Sequence, residues 1–440
     1  MKSSTLLTGL SLLGSFVNAY PHSEPFISAA ISKSKISSHV RESLVKRSRF
    51  LGPVTLQNQI DFYTLDIEVG TPPQKLSVLL DTGSSDLWVY APGHASSSDI
   101  ATFDSSKSST YHNNYTQFSI DYVTGAATGS WGTDIVTIQG AKLLQQSFAT
   151  VDQGTSLDGV PGLLGIGLPT EESSDSLLFG TEYSNVPISM YQQGYISYPA
   201  FSLFLNDLNA STGSIIFGGI DQAKYTGQLY TVPRVTQTSY DVILDSISTS
   251  GFTTSSMQVT LDSGTSLGLL PPNVLEQFQQ WLSLKYDTVN QYYYWPENVI
   301  FPDQKVMFTF SGVKLTFDLS SFFIKSELLG DPFPSNQWVF GAFSNEQTPD
   351  VILLGDVFLR NLYVVYDTAS PQIGLAMANL QAGSKSHVVP ITGSTLPAAQ
   401  AAPGSDEIST GIGNTGFLGG LLGLVDGTSA QVEELLGEEA

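Results

Sequence analysis

A short apolar run ends in an acid in the stretch Val78-Leu-Leu-Asp-Thr-Gly-Ser-Ser-Asp-Leu-Trp-Val89. An ionisable side chain directly after a β-type run is an unusual choice for a purely structural position, because burying a carboxylate is unfavourable. The pattern returns as Val259-Thr-Leu-Asp-Ser-Gly-Thr-Ser-Leu267. One Asp-Thr-Gly is usually no more than a turn. Two such motifs, Asp-Thr-Gly at 81–83 and Asp-Ser-Gly at 262–264, each led by an apolar run, indicate that Asp81 and Asp262 work as a pair.

A second pair of similar segments follows the two acids. The first is Pro161-Gly-Leu-Leu-Gly-Ile-Gly167, and the second is Val351-Ile-Leu-Leu-Gly-Asp-Val-Phe358. Each lies at a similar distance after its acid. An internal repeat of this kind predicts two similar lobes, each of which supplies one acid.

Composition and charge exclude several classes of function. The chain has 440 residues, of which 41% are hydrophobic and 13% charged, so it can form large cores. Forty acids stand against 18 Lys and Arg, a net charge of −22, which leaves no basic stripe for nucleic acid. This acidity favours either solubility alone or operation at low pH. With no cysteine and five scattered histidines, we expect no metal site, no thiol catalysis and no disulfides. We also expect no cofactor.

The body of the chain has an all-β pattern. From about residue 54 to 380, short runs of β-branched and aromatic residues are broken by Gly, Pro, Asn, Asp and Ser. Helical patterns are few, and the best covers Pro272–Lys285, with Val274, Leu275, Phe278 and Leu282 on one face.

The ends of the chain differ in composition from this body. Residues 1–19 have the pattern of a secretory signal peptide, and their apolar run is too short to span a membrane. Residues 20–47 are Ser-rich and basic and end in Lys46-Arg47, which predicts a pro-peptide processed at that dibasic pair. We expect an N-terminal lobe at 48–230 and a C-terminal lobe at 231–380. Residues 381–440 read as a low-complexity linker and an acidic tail of unassigned function.

The two acid motifs also suggest a chemistry. Two carboxylates in contact cannot both ionise easily, so the pair shares a proton and offers one acid and one base together. Such a pair can activate a water molecule for amide hydrolysis without a metal or a covalent intermediate. The hydroxyls of Thr82, Ser84, Ser263 and Thr265 are placed to bond across and behind the carboxylates.

At this point the sequence resembles the pepsin-like aspartic proteases, specifically the secreted fungal branch that includes yapsins and candidapepsins. The resemblance covers roughly residues 55–380. The segments that carry it are Asp81-Thr-Gly-Ser-Ser-Asp-Leu-Trp88, Ala210-Ser-Thr-Gly-Ser-Ile-Ile-Phe-Gly-Gly219, Asp262-Ser-Gly-Thr-Ser266 and Leu354-Gly-Asp-Val-Phe-Leu-Arg360. It implies a bilobal fold of two β-barrel-like lobes with the active site in the cleft between them.

The resemblance also implies roles for individual residues. Asp81 and Asp262 would be the catalytic pair. The residues expected to support them are Thr82, Gly83, Ser84, Ser263, Gly264 and Thr265. Those expected at the flap and substrate cleft are Trp88, Tyr122, Thr124 and Gly125.

The flap sequence departs from the family pattern. Val123 follows Tyr122 where relatives commonly have glycine, which predicts a stiffer flap tip. The yapsin-like acid two residues after the tyrosine is replaced by Thr124. We therefore expect a preference for large apolar residues at the scissile bond rather than for Lys or Arg.

Together these features predict a secreted aspartic endopeptidase, active on polypeptides at acidic pH and made as a zymogen. Its own pro-peptide would act as inhibitor, with Lys33 or Lys35 on the acid pair at neutral pH. We expect a monomer that is extracellular, or alternatively in the vacuole or cell wall, with N-glycosylation at Asn114 and Asn209. Alternative readings are a silent relative that binds peptides in the same cleft and a β-rich adhesin.

Overall fold

The structure is a computed structural model that describes residues 24–35, 61–95, 99–122, 125–154, 160–171, 183–299, 301–329, 333–346 and 351–405. The predicted signal peptide, the Lys46-Arg47 pair, Thr124 and residues 406–440 of the predicted linker and acidic tail lie outside these residues. No helix among the described residues is long and apolar enough to cross a bilayer.

The described residues form 27 strands, numbered here in chain order. Those of the first half are β1 (Ile27–Lys35), β2 (Asp61–Val69), β3 (Gln74–Asp81), β4 (Leu87–Tyr90), β5 (His112–Tyr122), β6 (Gly125–Ile138), β7 (Ala141–Gly154), β8 (Gly162–Gly165), β9 (Ala200–Phe204), β10 (Thr212–Phe217), β11 (Gly219–Asp221) and β12 (Tyr225–Pro233).

The strands of the second half are shorter on average. They are β13 (Asp241–Ser248), β14 (Met257–Leu261), β15 (Gly268–Leu270), β16 (Lys285–Asp287), β17 (Tyr292–Pro296), β18 (Lys305–Phe310), β19 (Val313–Asp318), β20 (Phe323–Lys325), β21 (Gln337–Phe340), β22 (Ala342–Ser344), β23 (Leu353–Leu354), β24 (Leu362–Asp367), β25 (Gln372–Ala378), β26 (Val388–Pro390) and β27 (Ala399–Ala401).

Helices in the described residues are short. They are α1 (Val186–Gln192), α2 (Pro272–Leu282), α3 (Ser326–Leu329) and α4 (Asp356–Leu359). The helix expected at Pro272–Lys285 is confirmed as α2, and its four predicted apolar residues are the ones it buries. It ends three residues earlier than expected because Ser283 takes a left-handed conformation, with φ 52°, that closes the last turn.

One 14-stranded sheet joins the two halves of the chain. Its order is β27-β12-β25-β24-β9-β10-β1-β2-β3-β8-β4-β7-β6-β5. The halves meet where β24 pairs antiparallel with β9, with Tyr366 opposite Phe201, and again where β12 pairs with β25 and β27. A seven-stranded sheet, β19-β18-β13-β14-β23-β15-β22, lies wholly in the second half. This architecture confirms the all-β, bilobal fold.

The repeat seen in the sequence is also a repeat of topology. In the first half β8 lies between β3, to which it is parallel, and β4, to which it is antiparallel. In the second half β23 lies in the same way between β14 and β15. Each apolar-apolar-Gly segment is thus the strand beside its own acid-bearing strand.

The predicted pro-peptide contributes a strand to this sheet. β1 pairs with β10 on one side and β2 on the other. Ile27, Ala29 and Ile31 are buried and the residues between them are exposed, the two-residue period of a half-buried strand. The ammonium of Lys33 donates to the carbonyl of Leu208 at 2.8 Å, in the loop before β10. β10 and β2 lie on opposite sides of β1. The Lys33 ammonium is thus bonded on the β10 side, and not to the acid pair as we expected.

We expected residues 381–405 to belong to a low-complexity linker, but they form two strands that pair with the body of the chain. β26 pairs with β11, and β27 pairs parallel with β12 at the end of the large sheet. Ile391 and Leu396 are buried in the cluster behind these strands. The physical reason is that a few apolar side chains, spaced within a Ser- and Gly-rich sequence, are enough to bind this segment to an open sheet edge. The expected lobe boundary at residue 230 falls inside β12, which pairs with β25 of the second half.

Candidate active site

Asp81 is the last residue of β3. The strand is buried at its end, and Asp81 pairs with Gly165 of β8. The backbone N–H of Ile166 donates to the Asp81 carbonyl at 2.8 Å. A side chain at Gly165 would collide with the backbone at Ser85 and Asp86, so the two segments can approach only because this residue is glycine.

The turn after β3 holds the Asp81 carboxylate from two sides. The backbone N–H of Gly83 donates to its Oδ1 at 2.8 Å. The hydroxyl of Ser84 donates to its Oδ2 at 2.5 Å. Both bonds are local, so the motif itself supplies two of the contacts that orient this carboxylate.

Asp262 is held in the same way in the second half. It follows β14 directly, and its N–H donates to the carbonyl of Leu354 in β23 at 3.2 Å. The N–H of Gly264 donates to its Oδ1 at 2.8 Å, and the hydroxyl of Thr265 to its Oδ2 at 2.5 Å. The two acids therefore have equivalent surroundings.

Each glycine of the two motifs packs against the opposite acid. A Cβ built on Gly83 would lie 2.7 Å from Oδ1 of Asp262. A Cβ on Gly264 would collide with Oδ1 of Asp81. The absence of a side chain at these positions is what allows the carboxyl groups to come within hydrogen-bonding reach of each other.

Burial and the proximity of the two acids raise the pKa of Asp81. Both carboxyl groups are largely buried. Burial raises the pKa of Asp81 well above its usual range, and the charge of Asp262 raises it further. Hydrogen bonds from Ser84 and Gly83 oppose this rise. The pair therefore keeps a proton at pH values at which an ordinary aspartate has lost it.

Thr82 and Ser263 connect the halves behind the acids. The Thr82 hydroxyl donates to the Leu261 carbonyl at 3.0 Å, and the Ser263 hydroxyl donates to the Leu80 carbonyl at 3.0 Å. We expected these hydroxyls to bond across and behind the carboxylates. They bond across to the backbone instead, and only Ser84 and Thr265 bond to carboxylate oxygens.

The predicted flap is the hairpin of β5 and β6. Tyr122 ends β5 and pairs with Gly125, which begins β6, and β5 is the terminal strand of the large sheet. The side chain of Tyr122 and all of Thr124 lie outside the described atoms. Trp88 lies on β4, fully buried, with its ring 5.3 Å from that of Tyr90 in an edge-on arrangement.

The two predicted glycosylation sites are exposed. Asn114 lies on β5, and Asn209 lies in the loop between β9 and β10. Among the residues that the structure describes, no three Asp, Glu or His side chains are grouped so as to hold a metal ion.

Sequence reasoning missed two tyrosines behind the acids. The hydroxyl of Tyr366 donates to the Leu261 carbonyl at 3.3 Å, and that of Tyr240 to the Ile166 carbonyl at 3.4 Å. Their rings pack edge-on at 4.7 Å. In the sequence each is one more aromatic residue in a β-type run, so no local signal distinguishes it from an ordinary core residue.

Comparison with known proteins identifies the family. Residues 62–378 match the family described as "Eukaryotic aspartyl protease". The candidapepsin of Candida tropicalis is 37% identical over 347 residues, which cover 76% of this chain and 83% of the relative. An acid protease of Saccharomycopsis fibuligera is 36% identical over 341 residues, 74% of this chain and 83% of the relative. Yapsin-3 of Saccharomyces cerevisiae is 34% identical over 389 residues, which cover 82% of this chain and 74% of the relative. The chain therefore belongs to the eukaryotic aspartyl protease family and is an aspartic-type endopeptidase.

Proposed function

We propose that Asp81 and Asp262 are the catalytic pair and that they hydrolyse peptide bonds at acidic pH by activating a water molecule. The observation that supports this most directly is the mutual placement of the two carboxyl groups. Each is oriented by its own glycine N–H and hydroxyl, and each packs against the glycine of the other motif.

The geometry suggests how the two acids divide the work. With one proton shared between them, the ionised carboxylate removes a proton from water as the water oxygen attacks the substrate carbonyl carbon. The protonated carboxyl donates its proton to the carbonyl oxygen. The carboxyl that took the proton from water then gives it to the amide nitrogen, while the other carboxylate takes a proton back from a hydroxyl of the gem-diol, and the C–N bond breaks to leave a carboxylic acid and an amine. The pair titrates as a unit, so both acids serve both functions over one cycle.

The substrate would bind as an extended strand beside the flap hairpin, because β5 has an open edge in the sheet order. Phe118 of β5 and Trp131 of β6 belong to one apolar cluster with Trp88 of β4, and Ile120 packs against it. Together with Thr124 in place of an acid, this supports a preference for large apolar residues at the scissile bond. A peptide library cleaved strictly after Lys or Arg would contradict that preference.

We also propose that the enzyme is made as a zymogen whose pro-peptide, residues 20–47, inhibits it. The position of β1 supports this. After cleavage at Arg47, this pro-peptide strand would remain bound to the enzyme only through its buried face and its pairing with β2 and β10. Lys33 is bonded to Leu208, which leaves Lys35 as the candidate residue on the acid pair. If the Lys35→Ala precursor is as silent at neutral pH as the unchanged precursor, this role of Lys35 is wrong.

The remaining expectations concern location and modification. We propose that the enzyme is secreted as a monomer after removal of residues 1–19. The exposed positions of Asn114 and Asn209 support glycosylation during secretion. Mass analysis of the protein from culture medium, before and after glycan removal, tests both points.

Digestion of haemoglobin or casein at acidic pH tests the catalytic proposal. We expect activity that pepstatin inhibits, and a loss of at least a thousandfold in Asp81→Asn and in Asp262→Asn. Asp134→Asn is the matched control, because Asp134 is also a buried acid of a β-strand but bonds to Thr110 and the Ile135 N–H. Full activity in Asp262→Asn would refute the assignment.

A further inference from the structure

The Leu261 carbonyl, one residue before Asp262, accepts hydrogen bonds from two hydroxyls. Thr82 donates to it from the first half of the chain at 3.0 Å, and Tyr366 donates from β24 at 3.3 Å. A carbonyl oxygen has two lone pairs, so these two donors use its full capacity. This peptide group is therefore held from both sides, immediately next to one of the two acids.

The same contacts fix which hydrogen bond the Thr82 hydroxyl donates and which it accepts. It accepts from the Ser263 N–H at 2.9 Å and donates its only proton to Leu261. The Tyr366 hydroxyl lies beside the Thr82 hydroxyl, and both donate to the same carbonyl. A shift of the Leu261 carbonyl would therefore disturb the bond that connects the two acid motifs.

The ring of Tyr366 has little freedom to move. It is fully buried, stacks on Phe201 at 5.0 Å with an 18° angle between the planes, and packs edge-on against Tyr240. Burial raises its pKa far above the usual range, so its hydroxyl stays protonated and remains a donor at every working pH. Phe201 and Tyr366 are opposite each other where the halves meet.

Packing alone does not explain why this residue carries a hydroxyl. A phenylalanine would fill the same space, whereas a buried hydroxyl is unfavourable unless it is hydrogen-bonded. We propose that Tyr366 is a positioning residue for the reaction, which fixes the Leu261–Asp262 peptide and thereby the spacing of the two carboxyl groups. This inference rests on the proposed catalytic roles of Asp81 and Asp262.

Tyr363 offers a matched control on the same strand. It is equally buried, and its hydroxyl bonds to the Ser202 hydroxyl at 2.8 Å and to the Asp221 N–H at 2.6 Å. It lies three residues from Tyr366, and therefore on the opposite face of β24. Both Tyr→Phe variants lose one buried hydroxyl, but only one of those hydroxyls is next to the acids.

The test compares Tyr366→Phe and Tyr363→Phe in the full-length chain, expressed and acid-treated identically. Concentrations are set by pepstatin titration, so misfolded protein does not lower the measured kcat. For Tyr366→Phe we expect kcat to fall about 3- to 10-fold with KM within about twofold. We also expect a narrower bell-shaped pH profile of kcat/KM, because a looser spacing weakens the repulsion that separates the two ionisations of the pair. For Tyr363→Phe we expect kcat and the profile of the unchanged enzyme.

Three results would overturn the inference: equal kcat in the two variants, a loss confined to KM, or an unchanged pH profile in Tyr366→Phe. Asp262→Asn is measured in parallel to keep this inference separate from the proposed function. If Asp262→Asn is inactive while the two tyrosine variants behave alike, only the role of Tyr366 is wrong. If Asp262→Asn is fully active, the proposed catalytic pair itself is wrong.

Discussion

Thr82 and Ser263 each donate a backbone N–H to the hydroxyl of the other. The Ser263 N–H donates to the Thr82 hydroxyl at 2.9 Å, and the Thr82 N–H to the Ser263 hydroxyl at 3.3 Å. Each hydroxyl then donates to the carbonyl that precedes the opposite acid. The bonds are buried, so they join the halves where water does not compete for them.

We predict that Thr82→Val lowers the free energy of unfolding by about 2–4 kcal/mol, because it leaves the buried Ser263 N–H without an acceptor and removes one of the two donors to the Leu261 carbonyl. Valine has nearly the shape of threonine, so packing is preserved. Ser263→Thr is the control: it keeps the hydroxyl, and its loss should stay below about 1 kcal/mol. Denaturant unfolding measures both, and equal losses in the two variants would contradict the prediction.

We predict that Ser84→Ala moves the alkaline limb of the kcat/KM profile to higher pH. The Ser84 hydroxyl stabilises the ionised form of Asp81 and so lowers its pKa against the effect of burial. Without it the pKa of Asp81 rises, and the pair keeps its proton to higher pH. Ser84→Thr retains the hydroxyl and should retain the profile. A shift of the limb to lower pH in Ser84→Ala would show that the sign is wrong.

We predict that Asp367 makes the fold more stable in acid. Burial raises the pKa of Asp367 to about 6, against an ordinary value of 3.8, although it accepts hydrogen bonds from the N–H groups of Ala369 and Ser370 and from Gln372. The folded state therefore binds the proton more tightly than the unfolded chain does. The contribution of this group to stability is complete below about pH 4 and is lost as the pH rises to about 6.

The expected size of this effect is roughly 3 kcal/mol across that interval. Denaturant unfolding at several pH values measures it, as the difference between the unchanged protein and Asp367→Asn. The variant cannot ionise at this position, so its stability should fall less steeply between pH 4 and 6. Parallel curves for the two proteins would exclude the effect.

We predict that a chain ending at Ser405 is as stable as the full chain, whereas one ending at Gly383 is destabilised by about 3–6 kcal/mol. The shorter chain loses β26 and β27 and the burial of Ile391 and Leu396, each worth about 1.5–3 kcal/mol. The Asp221 carboxylate also loses its hydrogen bonds from residues 386 and 387. Thermal unfolding compares the two chains, and equal midpoints would show that this segment does not stabilise the body.

Much of the site could be predicted from the sequence because its determinants are local. The bonds from Gly83 and Ser84 to Asp81 lie within one turn, and the same turn recurs at Asp262, so the motif predicts the geometry of each acid. The duplication predicts that the acids are partners. Helix α2 was predictable for a similar reason, because the spacing of its apolar residues is visible in a single stretch.

Features that depend on distant parts of the chain were not predictable in this way. The segment 381–405 has the composition of a linker, but an open sheet edge at β11 and β12 gives it partners. Tyr366 has the pattern of a core aromatic, and only its place opposite Phe201 brings its hydroxyl to Leu261.

The sequence by itself thus determined the fold class, the two acids and the turns that orient them, since these follow from apolar periodicity and from hydrogen bonds within a few residues. The tertiary structure decided how close the acids come, what holds them at that spacing and which segments complete the sheet. Those properties depend on contacts between residues far apart in the chain, and such contacts leave no periodic or local pattern in the sequence.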